Sequence, residues 1–279
     1  MANVRIITDS SCELPVDLAQ SLNITVLPWR VRVGPEMLVD GPTLRTAEFH
    51  RELLDKKLMP SAIPPDTRQY GEAFERLAAT TDQIIAITPA SKLARCYDSV
   101  QQARRGLLGR CEVHVLDATF IGRTVGILVQ QAALLALQGV AGTDIVRQVS
   151  GLIPHAYLAI YTDSLATMTQ RGLVDDRNDE IRGTASYRPL LLVEGGQVIP
   201  LQRSRKRGAP SERIIEFVGE FRDLSQLYYL HNGHSALMAE LRAALAESPT
   251  KQAYEEHLFG PVFASLVGLR AFGVAALES

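Results

Sequence analysis

Three short runs of small polar residues give this sequence its clearest chemistry. They are Thr8-Asp9-Ser10-Ser11, Thr88-Pro89-Ala90-Ser91 and Asp117-Ala118-Thr119, and each closes an apolar stretch of strand length. Hydroxyls and free helix N–H groups at such places can hold an anion such as a carboxylate or a phosphate. The same residue types are ordinary helix N-caps, so each run taken singly also has a purely structural use. Three of them at the ends of neighbouring strands would form the crevice in which open α/β sheets bind ligands. A separate concentration of charge is Arg203-Ser204-Arg205-Lys206-Arg207. It suits phosphate or an acidic partner, and equally a solvated loop.

Catalytic signatures are missing: no GxGxxG, GxxxxGK[ST], GxSxG or HExxH occurs. The six histidines are scattered, and His231 and His234 stand too close across a turn to make a metal pair. Asp175, Asp176, Asp179 and Glu180 alternate with Arg177 and Arg182, as on a solvated face. Cys12, Cys96 and Cys111 have unrelated spacings and read as small buried residues of a reducing compartment.

The elements that must position these residues follow from hydrophobic periodicity. Residues 4–7 read as a strand, followed by a helix with Leu14, Leu18 and Leu22 on one face and a second strand over 24–27. The alternation continues through strands at 83–88 and 112–116, helices at 67–80, 93–108 and 143–152, and an apolar helix at 122–137. Residues 59–65 carry three prolines and are expected to be a loop. The pattern predicts a three-layer α/β domain with a mainly parallel sheet over residues 1–154. Residues 155–279 read as a smaller α+β domain. It has a hairpin at Glu194-Gly195-Gly196, helices at 211–224 and 235–246, and late strands at 251–258 and 269–277.

Composition narrows the classes further. The 279 residues are 46% hydrophobic and 22% charged with a net charge of -2, which fits an ordered globular chain and excludes disorder and collagen. Near-neutrality and 6% aromatic residues give no reason to expect nucleic acid or an anionic membrane as partner. The longest uncharged apolar run, 124–140, contains three glutamines, so no transmembrane segment is expected. The first residues do not have the pattern of a signal peptide, and a cytoplasmic protein is expected.

At Ile6-Ile7-Thr8-Asp9-Ser10-Ser11-Cys12-Glu13-Leu14-Pro15 the sequence resembles the opening motif of the DegV family of fatty-acid-binding proteins. Val26-Leu27-Pro28, Ser91-Lys92-Leu93 with Tyr97, Leu116-Asp117, Arg188-Pro189-Leu190-Leu191, the hairpin 196–205 and Gly260-Pro261 are similar to later family segments. The resemblance implies two domains with a fatty acid between them, its acyl chain in an apolar tunnel covered by the second domain. It also implies a protein without catalytic residues, cofactor or metal, which presents the carboxylate to a fatty acid kinase. Carried over residue by residue, the ligand set is Thr8, Asp9, Ser10, Ser61, Ser91, Asp117, Arg171 and His257, with Arg203, Arg205 and Arg207 toward the kinase.

The chain departs from the family pattern at the head group. Pro60 stands for a threonine, Ala94 for a serine, Arg95-Cys96 for Gly-Thr, and Ala118 for a serine. Loss of two hydroxyls removes hydrogen bonds to a charged group worth about 1.5–3 kcal/mol each. Arg95 is the candidate replacement, through its planar fork of donors. Two other readings stay open: a small-molecule hydrolase or transferase using the same crevice, and a divergent member with altered or lost lipid binding.

Overall fold

A computed structural model describes residues 3–162, 165–170, 173–174, 190–200, 210–233, 235–247 and 252–279. Arg171, Arg203, Arg205, Arg207, His234 and the acidic stretch 175–180 lie outside the described residues. The first part contains β1 (Val4–Asp9), α1 (Val16–Ser21), β2 (Thr25–Leu27), β3 (Arg30–Val33), β4 (Glu36–Val39), α2 (Ala47–Asp55) and β5 (Ser61–Ile63). It continues with α3 (Thr67–Ala78), β6 (Gln83–Thr88), α4 (Ser91–Ala94), α5 (Tyr97–Ala103), β7 (Glu112–Asp117), α6 (Arg123–Leu137) and α7 (Gly142–Leu152). The second part contains β8 (Ala156–Tyr161), α8 (Leu165–Gln170), β9 (Leu190–Glu194), β10 (Gln197–Pro200), α9 (Pro210–Val218) and β11 (Leu224–His231). It ends with α10 (Ser235–Glu247), β12 (Glu255–Leu258), α11 (Pro261–Val267) and β13 (Phe272–Glu278).

The expected parallel sheet is present, in the order β2-β1-β6-β7 with every pairing parallel. Its strands are buried on both faces, so neighbouring residues feed different cores. Ile7, Ile84 and Ala86 pack with Tyr70, Phe74 and Val100 of α3 and α5. Ile6, Ile85 and Ile87 pack in the other core with Ile127, Leu128 and Ile145 of α6 and α7. This is the three-layer arrangement that a parallel sheet requires to hide both faces.

A six-stranded sheet, β10-β9-β8-β13-β11-β12, holds the later strands, all antiparallel except β11 against β12. One face, with Ala159, Tyr229 and Val274, is covered by Ile214, Phe217, Met238 and Leu241 of α9 and α10. The opposite face, with Leu158, Leu230 and Ala275, joins the same apolar cluster as α6 and the parallel sheet. Helix α6 is therefore a shared layer between two sheets. That explains why its run is apolar all round rather than on one stripe.

Five expectations need correction. The helix expected to carry Leu14 starts only at Val16, after a 3-10 turn over Ser10–Cys12. The helix expected over 211–224 ends at Val218, and Leu224 opens β11. Residues 59–65 are not all loop, because Ser61–Ile63 forms β5 against β3 in a third sheet, β4-β3-β5. Pro60 and Pro64 bound this strand rather than interrupt it. The single helix over 93–108 is instead α4, α5 and a 3-10 turn Arg104–Leu107, since Arg95 takes a left-handed φ of 54°. The late strand starts at Phe272, and the residues before it hold α11, with Pro261 in its first turn.

Candidate functional site

The carboxyl ends of β1, β6 and β7 meet at one edge of the parallel sheet, as the three polar runs predicted. The Thr8 hydroxyl donates to the Ile87 carbonyl at 2.8 Å and ties β1 to β6. Asp9 is fully buried; one carboxylate oxygen accepts from the Ser11 N–H and hydroxyl at 3.0 and 2.5 Å, the other from the Tyr70 hydroxyl at 2.9 Å. Burial pushes its carboxyl above the usual range, against the pull of these donors and of Trp29. Its first role is to cap the 3-10 turn Ser10–Cys12. The Ser10 hydroxyl accepts the Trp29 backbone N–H at 2.9 Å. Asp117 uses its two oxygens on the N–H groups of Thr119 and Ser91, at 2.8 and 3.2 Å, so it ties the loop after β7 to the start of α4.

Ser61 and Ser91 are half-buried, and neither hydroxyl carries a hydrogen bond among the described residues. Ala62, beside Ser61, packs on the small cluster of Trp29, Val31, Ala94, Cys96 and Val262. The hairpin β9–β10 reaches over Ser91 from the other sheet: the Gly196 N–H donates to the Thr119 carbonyl at 3.1 Å, and Lys92 Nζ donates to the Gly195 carbonyl at 3.3 Å. Arg95 is exposed at the end of α4.

His257 meets the opening motif through a residue that the sequence reading did not single out. Glu13 is buried with a left-handed φ of 58°. Its Oε2 accepts from the Gly260 N–H at 2.8 Å and from His257 Nε2 at 3.3 Å. Burial raises the Glu13 carboxyl, but Arg45, His257 and the Gly260 N–H outweigh it and hold it below the usual range. Arg45 bridges to Asp40 at 3.0 Å and to the carbonyls of Ser10 and Leu14 at 2.8 and 3.3 Å. Nearby, His50 Nε2 donates to the Phe259 carbonyl at 2.7 Å, and burial holds this imidazole toward its neutral form. These contacts fasten the opening motif to the segment around Phe259 and Gly260.

Arg123, in the first turn of α6, is another buried charge that pattern reading passes over. Its position inside an apolar stretch was the one available signal. Among the described residues no group of three or more His, Cys, Asp or Glu side chains could hold a metal ion. No helix among them is long and apolar enough to cross a membrane. The arrangement can hold an amphipathic molecule: an apolar layer between two sheets runs up to an edge rich in hydroxyl, N–H and cationic groups.

Comparison with known proteins agrees with this architecture. The family model described as "Uncharacterised protein, DegV family" matches residues 3–279. A DegV domain-containing protein of Caldanaerobacter subterraneus subsp. tengcongensis is 26% identical over 249 residues, covering 88% of each chain. A fatty acid binding DegV family protein from Streptococcus agalactiae superposes with a TM-score of 0.87 at 18% identity, covering all of both chains. A DegV family protein from Thermus thermophilus, also described by its fatty acid binding, gives 0.85 at 20% identity over 99% of this chain and 100% of its own.

Proposed function

This chain belongs to the DegV family, and we propose that it binds one long-chain fatty acid, or a related acyl lipid, between its two large sheets. One observation carries the reading. A single apolar cluster extends from β1 and β6 through α6 and α11 to β8 and β13, and it ends at the polar edge described above. A molecule with a long apolar body and one anionic head matches that gradient. The fatty acid binding of the Thermus thermophilus and Streptococcus agalactiae proteins supports the same reading.

The role is binding and presentation, with no catalytic residue and no cofactor. Asp9 has the raised carboxyl that a hydrolase reading would use, yet it is fully buried and its oxygens are taken by Ser11 and Tyr70. In this role the bound carboxylate is offered to a fatty acid kinase partner for phosphorylation.

Native mass spectrometry of gently purified protein tests the reading. An adduct of acyl-lipid mass, or stoichiometric uptake of added palmitate, is expected. An empty protein that takes up no palmitate overturns it. The presenting role is tested by adding a fatty acid kinase and ATP to the loaded protein; acyl phosphate should form, and loaded protein that yields none refutes that role.

A further inference from the structure

Among the described residues, the strongest unexplained group is the Arg123 side chain. It is 1% exposed and heads the fully buried large side chains. Arginine is retained in such a place when its charge is paired. Yet no carboxylate among the described residues lies in ion-pair range of it. Among the described residues its one hydrogen bond is long, from Nη2 to Gln130 Oε1 at 3.5 Å. Nε and Nη1 are buried without an acceptor. Arg45 shows the contrast: it lies against Asp40 at 3.0 Å with Glu13 close by, as a structural buried arginine does.

The surroundings of Arg123 are shaped to hold a flat cation. Its guanidinium carbon sits 4.2 Å from the centroid of the Tyr228 ring, which belongs to β11 of the other sheet. It also lies down on α6 at Gly126, where a Cβ would stand 2.8 Å from Nη1 and 2.4 Å from the Cys12 carbonyl. The cation thus rests along α6, beside Gly126 and the Cys12 carbonyl, against the Tyr228 ring of the six-stranded sheet. A stacked ring and one long hydrogen bond do not replace the hydration lost on burial. Buried donors left without partners call for an explanation, and an incoming ligand is one.

We propose that Arg123 is the interior anchor for the anionic head of the acyl ligand, a step that rests on the lipid-binding reading above. Its fork of parallel N–H donors matches a carboxylate in two bonds. Tyr228 serves as the platform that holds the guanidinium flat.

The test compares palmitate with hexadecanol, which has the same chain and no charge, on wild type, Arg123→Met and Arg123→Lys. Binding is followed by calorimetry and folding by thermal melting. Wild type should prefer palmitate; Arg123→Met should lose palmitate affinity at least about tenfold while hexadecanol changes less than about twofold, with Arg123→Lys between them. Arg123→Met should melt at or above the wild-type temperature, since a buried unpaired charge has been removed. If that variant does not fold, Arg123→Lys, which keeps the charge and loses the fork, carries the same comparison. Undiminished palmitate binding in a folded variant overturns the anchor and leaves the lipid reading standing, as does a wild type that binds both probes equally. A wild type that binds neither probe overturns both.

Discussion

Glu13 offers the sharpest test of how the opening motif is joined to the rest of the molecule. Truncation to alanine removes a buried carboxylate that accepts from Gly260 N–H at 2.8 Å and His257 Nε2 at 3.3 Å. It also leaves Arg45 with Asp40 as its one carboxylate partner. Breaking a buried pair from one side costs about 3–5 kcal/mol. Because Arg45 keeps Asp40, the lower end, about 3 kcal/mol, is expected. Glu13 also holds a left-handed φ of 58°. That conformation costs a residue with a Cβ about 1–2 kcal/mol and costs glycine little, so Glu13→Gly should recover about 1 kcal/mol relative to Glu13→Ala. Thermal melting should show a drop of about 6–10 °C for the alanine variant and a few degrees less for glycine. The depressed Glu13 carboxyl adds a second signature. Its folded value lies below the ordinary 4.5, so its contribution is present above pH 4.5 and fades as pH falls through the folded value. Urea midpoints of wild type and Glu13→Gln should converge in that acid range. A loss under about 1 kcal/mol for Glu13→Ala would refute the energetic account, since exposed pairs are worth that little. Equal melting of the alanine and glycine variants would refute the strain.

Two further outcomes follow from particular contacts. Gly126→Ala places a Cβ 2.4 Å from the Cys12 carbonyl, a backbone atom that cannot swing away; the variant should lose about 2–3 kcal/mol in urea denaturation, as overpacking does, whereas Gly106→Ala, in the exposed 3-10 turn Arg104–Leu107 with open space around its Cβ, should stay within about 0.5 kcal/mol. His231 is pushed down to about 4 by burial, and its Nδ1 accepts the Gly233 N–H at 3.0 Å. A lowered folded value means the unfolded chain protonates first, so stability should fall as pH drops from 6.5 toward 4, by about 2 kcal/mol once part exposure is discounted. Burial drives His50 the same way, while the raised carboxyls of Asp9 and Asp40 act in opposition. The check is therefore a difference: His231→Gln should flatten the acid limb relative to wild type, and an unchanged limb would sink the assignment.

The elements that pattern alone defines were legible. Strand 83–88 was read with its observed bounds, and α6 to within a residue, because continuous apolar runs of strand or helix length admit few alternatives. Elements set by a neighbour were not. Ser61–Ile63 is a strand because β3 pairs with it, and nothing in its own three residues between prolines says so. The break at Arg95 rests on a backbone conformation that its side chain does not announce.

The same division runs through the site. The three polar runs were visible as sequence because their partners are local: Asp9 caps Ser11, and Asp117 holds Thr119. Glu13 was invisible because its partner Gly260 is 247 residues away. In sequence, an isolated glutamate or arginine reads as a solvated charge, and only the second sheet makes it a buried one. Arg123 carries this furthest, since its immediate surroundings in sequence are those of a core helix and its one aromatic partner, Tyr228, comes from β11. A binding site between two sheets selects its polar groups by what faces them across the gap. The residues that decide its head-group chemistry are then those that local pattern assigns to the core or to solvent, and a buried charge left unpaired after folding is the signal that identifies them.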